Sequence, residues 1–112
     1  MRQVVTRNTD PPSEAVFFIL VSLAEEPKHG YAILQNVEQI SKGRVRLSTG
    51  TLYGAIRRLL DSRMIARVSE LKPSRDRQVY RLMPLGHAAL VAEVGRMKEL
   101  TRAAARLVEK PA

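Results

Sequence analysis

Between Ala15 and Ala24 the chain carries one polar residue, Ser22, and this apolar run constrains the fold more than any other feature. It is roughly half of the ~20 residues that a membrane-spanning helix needs. Ser13 before it is an N-cap candidate, Glu14 suits a first helical turn, and Pro27 stops a helix near Glu26. Ala15, Val16, Ile19, Leu20 and Leu23 mark one helical face, while Phe17, Phe18 and Val21 make the other side apolar too. A helix apolar all round has to be covered on both sides. As a signal peptide the run fits poorly. Arg2 and Arg7 precede it and Ser22-Leu23-Ala24 imitates a cleavage site, but Asp10, Pro11, Pro12 and Glu14 crowd the position that should be basic and helix-permissive.

A chain of 112 residues holds one compact domain and at most one extra helix for a partner. Such a domain buries only about two-thirds of the surface its unfolded chain exposes, so it gains from self-association. The absence of cysteine excludes disulfide frameworks, thiolate zinc sites and thiol nucleophiles. It fits a cytoplasmic setting, in the bacterial nucleoid if the partner is DNA.

Further along, Tyr31, Ile33, Leu34, Val37 and Ile40 recur at helical spacing and are closed by Ser41-Lys42-Gly43. Arg44-Val45-Arg46-Leu47 alternates and is expected to form a very short strand. Ser48 can cap a third helix whose buried stripe is Leu52, Ile56, Leu59 and Leu60. Met64 to Leu71 and Gln78 to Met83 are compatible with strands. Lys72-Pro73-Ser74-Arg75-Asp76-Arg77 between them forms turns, so the pair reads as a hairpin with a basic tip. From about Leu85 to Glu109 there is no proline and the composition favours one long helix. Leu90, Val94, Met97, Thr101, Ala104 and Val108 form a heptad-like seam along it, suited to a partner helix.

The positive charge is concentrated in one part of the chain. Residues 1–41 hold three cations against five acids, a net charge of −2, whereas residues 42–81 hold eleven against three, or +8. Nine of those eleven cations are arginine, the side chain suited to bidentate contacts with phosphate and guanine. That is the electrostatic footprint of a nucleic-acid binder. Anionic membranes fit less well, because turn signals break the basic block.

Three helices, a small strand and a basic hairpin make a mainly α architecture, the winged helix-turn-helix, extended by a long C-terminal dimerisation helix. The boundaries read as a flexible arm over residues 1–12, a winged-helix domain over 13–83, and a helix and tail over 84–112. In this arrangement the third helix enters the major groove and the hairpin lies along the neighbouring backbone. Opposite the buried stripe the third helix carries Gly50, Gly54, Arg57, Arg58 and Asp61, flanked by Thr51 and Tyr53. Small residues admit close approach to DNA, free amides near Ser48, Thr49 and Gly50 can hold a phosphate, and Arg57 and Arg58 can reach bases or backbone. Tyr53 has two readings, a phosphate or sugar contact and a ring half-buried along the core edge. Lys72, Arg75 and Arg77 add the hairpin's contacts.

His29-Gly30-Tyr31, the stretch Leu47-Ser48-Thr49-Gly50-Thr51-Leu52-Tyr53-Gly54-Ala55-Ile56-Arg57-Arg58-Leu59, and Tyr80-Arg81-Leu82 followed by Pro84-Leu85-Gly86 together resemble the PadR family of bacterial transcriptional regulators. The resemblance covers about Ala15 to Leu90. It implies a homodimer in which the last helix packs against the N-terminal and C-terminal helices of the other subunit. Phe17, Phe18 and Val21 of the first helix and the seam from Leu90 to Val108 are then the candidate dimerisation residues. It also implies repression of nearby promoters, relieved in some members by small aromatic or multidrug-like ligands. Thr49 stands where many members have proline. Met83 replaces a usual threonine, which removes a cap from the last helix.

No P-loop, Gly-x-Ser-x-Gly elbow or His-Glu-x-x-His motif occurs, and Asp61, Glu70 and Asp76 lack a paired-carboxylate spacing. His29 is expected to make a structural hydrogen bond at its turn, and His87 has no ligand spacing. An enzyme, a metal site and a cofactor are therefore not expected. Two other readings remain at this stage. One is a winged-helix module that docks protein or RNA without an operator. The other is a ligand sensor in which Phe17, Phe18 and Val21 with Met97 and Leu100 line a cavity between subunits, although plain core packing accounts for the same residues.

Overall fold

The computed structural model describes residues 12–68 and 78–109. The basic hairpin tip, nearly all of the N-terminal arm and the last three residues lie outside that set. Four helices, α1 (Glu14–Glu25), α2 (Gly30–Ile40), α3 (Thr49–Asp61) and α4 (Pro84–Val108), are joined with three strands, β1 (Lys28–His29), β2 (Ile65–Arg67) and β3 (Val79–Leu82). The sheet is antiparallel with order β1-β3-β2. This is a winged helix with a long C-terminal helix, as the residue pattern predicts.

α1 begins where Ser13 accepts from the Val16 amide at 3.2 Å. At its other end Lys28 donates to the Ser22 carbonyl at 2.6 Å and to Glu25 Oε1 at 3.0 Å, placing a cation at the negative end of the helix dipole. The helix is covered by α2, by β3 and by α4, and Ile19, Leu20 and Leu23 are buried. They pack with Ile33 and Val37 of α2, Leu52 and Ile56 of α3, and Tyr80 of β3. Ser22 is also fully buried, and its hydroxyl finds no partner among the described residues, which costs stability.

The expected strand at residues 44–47 is absent. The segment is held by Ser41, whose Oγ accepts from the Val45 amide at 2.9 Å and donates to the Val45 carbonyl at 3.3 Å. Both backbone groups of Val45 are thus met locally, outside any ladder, and β3 is already flanked on both sides. The third strand is instead Lys28–His29, paired as Lys28 with Tyr80 and His29 with Val79. His29 caps α2 through its backbone, but its side chain makes no capping hydrogen bond. Among the described residues no hydrogen bond of the His29 side chain to the α2 turn is seen.

α2 and α3 both end in Schellman geometry. Gly43 and Lys42 amides donate to Glu38 and Gln39 carbonyls, and Met64 and Arg63 amides to Leu59 and Leu60 carbonyls. The left-handed residue is in each case a cation, Lys42 at φ 56° and Arg63 at φ 60°, where glycine is commonest.

α4 starts at Pro84 with no side-chain cap from Met83, as the missing threonine predicts. It is fastened to the hairpin instead. The Met83 amide donates to the Met64 carbonyl at 2.9 Å, and a Cβ at Gly86 would collide with that same oxygen and lie 2.9 Å from Leu82 Cδ1. Leu90 and Glu93 follow on the buried side. Glu93 is 7% exposed, and Arg96 donates to its two oxygens from Nε at 2.8 Å and Nη2 at 2.5 Å. The hydrogen bonds from Arg96, reinforced by its charge and opposed by burial, hold the Glu93 carboxyl below the usual carboxylate range.

Two outcomes follow. Gly86→Ala is destabilised by roughly 2 kcal/mol or more, because a backbone carbonyl has to yield, and a denaturant melt reads this as a lower midpoint. The stabilisation from Glu93 is complete above its unfolded-state value of about 4.3 and is lost as pH falls through the lower folded-state value. Glu93→Gln removes that part of the acid limb, measured by thermal melts across an acid pH series.

Candidate nucleic-acid interface

α3 is built with one face for the core and one for solvent. Ser48 Oγ accepts from the Thr51 amide at 3.1 Å and donates to Thr51 Oγ1 at 2.9 Å, which fixes where the helix begins. Thr49 is its first residue, a position at which proline is favourable. Leu52, Ala55, Ile56 and Leu59 are buried and set the helix's rotation. Ser48, Thr49, Gly50, Thr51, Arg57, Arg58 and Asp61 are exposed, and Tyr53 and Gly54 are half-buried.

Among the described residues, none requires glycine at the two outer positions, Gly50 and Gly54. A Cβ at Gly50 or Gly54 would meet nothing within 4 Å, although glycine inside a helix costs about 1 kcal/mol relative to alanine. Without side chains there, the helix backbone lies open on that side. Gly30 contrasts with them: a Cβ there would lie 2.5 Å from the Tyr53 hydroxyl oxygen and 2.9 Å from Cζ. Tyr53 thus rests its ring on the first turn of α2, packs against the core, and still lines the groove beside α3. Its half-buried placement is the one that the core-edge reading anticipates.

That groove, of about 550 Å³, runs between α3 and the hairpin. Gly50 and Gly54 lie at one end, Leu60 and Asp61 at the other, and Arg57, Arg58 and Arg67 supply the positive charge. The cations of the middle block do not all share this surface. Arg44 pairs with Glu14 at 2.7 Å and Arg46 with Glu38 at 3.9 Å, so two of them are neutralised by acids of the first third. Arg81 pairs across the sheet with Ala66, one residue out of step with buried Tyr80, and therefore points to the other face. Lys72, Arg75 and Arg77 lie outside the described residues. Arg67 was not singled out by the sequence, because its direction depends on the strand register.

The sequence model of the transcriptional regulator PadR-like family matches residues 19–92, from α1 to the first half of α4. The chain belongs to the PadR family of transcriptional regulators. It is 38% identical over 89 residues to a 37.1 kDa protein in transposon Tn4556 of Streptomyces fradiae, covering 80% of this chain but only 24% of that protein. The chain thus spans about a quarter of that relative. It is 33% identical over 84 residues to the transcriptional regulator Rv3488 of Mycobacterium tuberculosis, covering 75% and 76% of the two chains. Among solved structures, a PadR family transcription regulator from Clostridium difficile superposes with a TM-score of 0.68 at 19% identity, covering 86% of this chain and 99% of that one. At that identity the likeness speaks for the fold.

PadR regulators bind DNA and are typically not enzymes. Among the described residues no helix is long and apolar enough to cross a membrane, and no three metal-ligating side chains cluster.

The open side of Gly54 separates folding from binding. Gly54→Leu keeps or raises the melting midpoint, since leucine is the better helix former by up to about 1 kcal/mol and its Cβ meets nothing within 4 Å. The same variant loses about tenfold or more in DNA affinity, equivalent to about 1.4 kcal/mol, read by fluorescence anisotropy with a labelled duplex.

Proposed function

We propose that this PadR regulator is a repressor that binds a pseudo-palindromic operator as a homodimer. The observation that carries the reading is the apolar stripe of α4. It begins inside its own fold at Gly86 and Leu90, becomes half-buried at Val94 and Met97, and continues into solvent. Leu100 is 55% exposed, Leu107 77% and Val108 78%. Leu90, at 7%, has most of its surface covered by its own core, so the part of the seam offered to a partner starts after it. Thr101 and Ala104 are exposed along the same side. With Leu100 and Leu107 beside them, the stripe is wider than a two-helix seam, which suits insertion between two helices of a second copy.

A two-fold axis through such an interface places the recognition helices about 34 Å apart, in successive major grooves. Ser48 through Thr51 and the glycine face then approach the groove, Arg57 and Arg58 reach bases or backbone, and Lys72, Arg75 and Arg77 of the hairpin contact the flanking strand. Phe17, Phe18 and Met97 line a groove of about 370 Å³ between α1 and α4, with Glu14, Arg44, Glu93 and Arg96 around it. An apolar floor with a charged rim suits a small aromatic effector. Because the same helices meet the second copy, a ligand that favours one helix spacing shifts the affinity for the operator. Val21 packs against the core of its own chain and contributes to this interface only from α1's flank.

Selection of bound duplexes from a random pool at physiological salt tests the reading, and the expected product is an inverted repeat. If the dimer neutralises roughly 8 phosphates, log K falls against log salt with a slope near −7. The double variant Leu100→Glu/Leu107→Glu sediments as a monomer and binds the selected duplex with roughly half that slope. A monomeric wild-type protein that selects no repeat sinks the proposal.

A further inference from the structure

The hairpin strand β2 contributes a cation to the α3 groove by virtue of its register. Arg67 lies directly opposite Tyr80, and directly opposed residues project from the same face of a sheet. Tyr80 is buried, so this is the face turned toward α3, and both residues line the groove there. Arg67 is itself exposed. Its guanidinium is not left to swing: Nε donates to Gln78 Oε1, across the base of the hairpin.

Which nitrogen is engaged matters. Gln78 takes the inner one, and the two terminal nitrogens remain as a planar fork at the head of the side chain, the edge that matches two oxygens of one phosphate. Among the described residues no carboxylate pairs with that fork. Asp61 lines the same groove and forms no ion pair either. Across from Arg67 stand Arg57 and Arg58 on α3.

We propose that Arg67, oriented by Gln78, is a phosphate clamp that grips the sugar–phosphate strand running between α3 and the hairpin. The proposal rests on reading this groove as the seat of duplex DNA and adds a contact that sets affinity without reading bases. Arg67 touches the phosphate; Gln78 is a positioning residue.

The test titrates the full chain and three variants against the selected duplex and an unrelated duplex of equal length, between about 50 and 200 mM salt. Arg67→Ala weakens binding to both duplexes by the same factor, roughly tenfold. It also reduces the log–log slope by about 1 for each protomer bound. Arg67→Lys keeps the slope, because the charge remains, yet binds several-fold more weakly for want of the fork. Gln78→Ala also keeps the slope and weakens binding, since it removes orientation and not charge. Melting midpoints equal to wild type confirm that the variants are folded.

Wild-type affinity and slope for Arg67→Ala would overturn the clamp. So would a loss confined to the selected duplex, which marks a base contact, or an Arg67→Lys variant that binds like wild type, which marks a mere point charge. Unchanged affinity in Gln78→Ala overturns the positioning role. Failure of the underlying DNA reading looks different: the wild-type protein itself ignores both duplexes, or binds them with no dependence on salt.

Discussion

The contact between the Tyr53 ring and Gly30 determines where the recognition helix sits. An added methyl group at Gly30 would overlap the phenol, so the two helices of the helix-turn-helix can approach only because one of them starts with glycine. Gly30 also follows β1 directly, and β1 is hydrogen-bonded to β3. The same contact therefore sets the position of α3 against the hairpin and, with it, the width of the groove between them. A similar device fastens the other end of the hairpin, where Gly86 lets α4 lie against the Met64 carbonyl. In a core with only two phenylalanines and no tryptophan, close backbone approach takes a share of the work that bulky side chains do elsewhere.

These contacts give physical meaning to the short motifs that made the family legible. His29-Gly30-Tyr31 and Gly50-Thr51-Leu52-Tyr53 are the two halves of one packing contact, and Pro84-Leu85-Gly86 is half of another. The helices were readable because each carries a cap or stop and a stripe at a 3.6-residue period. What escaped reading depended on pairing between distant residues. A two-residue strand such as Lys28–His29 has no periodicity to detect. Residues 44–47 show the alternation of a strand, but Ser41 captures the backbone of Val45 and the segment joins no ladder. The groove-facing role of Arg67 follows from its pairing with Tyr80, a register the intervening loop sequence does not reveal. The seam of α4 was visible in sequence, but not that Leu90 lies in the chain's own core, since a helical stripe looks the same whichever molecule covers it.

Charge shows the same division. The summed excess of residues 42–81 suggested a single basic surface, yet Arg44 and Arg46 are matched by Glu14 and Glu38, acids that lie far away or on the preceding helix. Those pairs are largely exposed and contribute little to stability. Their effect is on the field: they neutralise two cations of the middle block away from the groove, while Arg57, Arg58 and Arg67 at the groove form no ion pair among the described residues. The negative first third of the chain is thus part of how the basic surface is shaped, since confined charge steers a polyanion to one face where a uniformly basic molecule would not.

The placement of strain follows the same logic. Gly50 and Gly54 weaken α3 by about 1 kcal/mol each relative to alanine, and nothing among the described residues crowds either position. Arg63, just past the end of α3, occupies a left-handed conformation that costs an L-residue roughly 1–2 kcal/mol. Glycine there would relieve the backbone, while the guanidinium keeps a cation at the negative end of the helix dipole. Three departures from the most stable choice thus fall on one 13-residue helix and its cap, two of them on the side turned away from the core. A helix that served only to fill the core would be under no pressure to keep those glycines. Their cost is intelligible if the outer face of α3 recovers it on contact with a second molecule, and the open groove beside that face supplies the room for one.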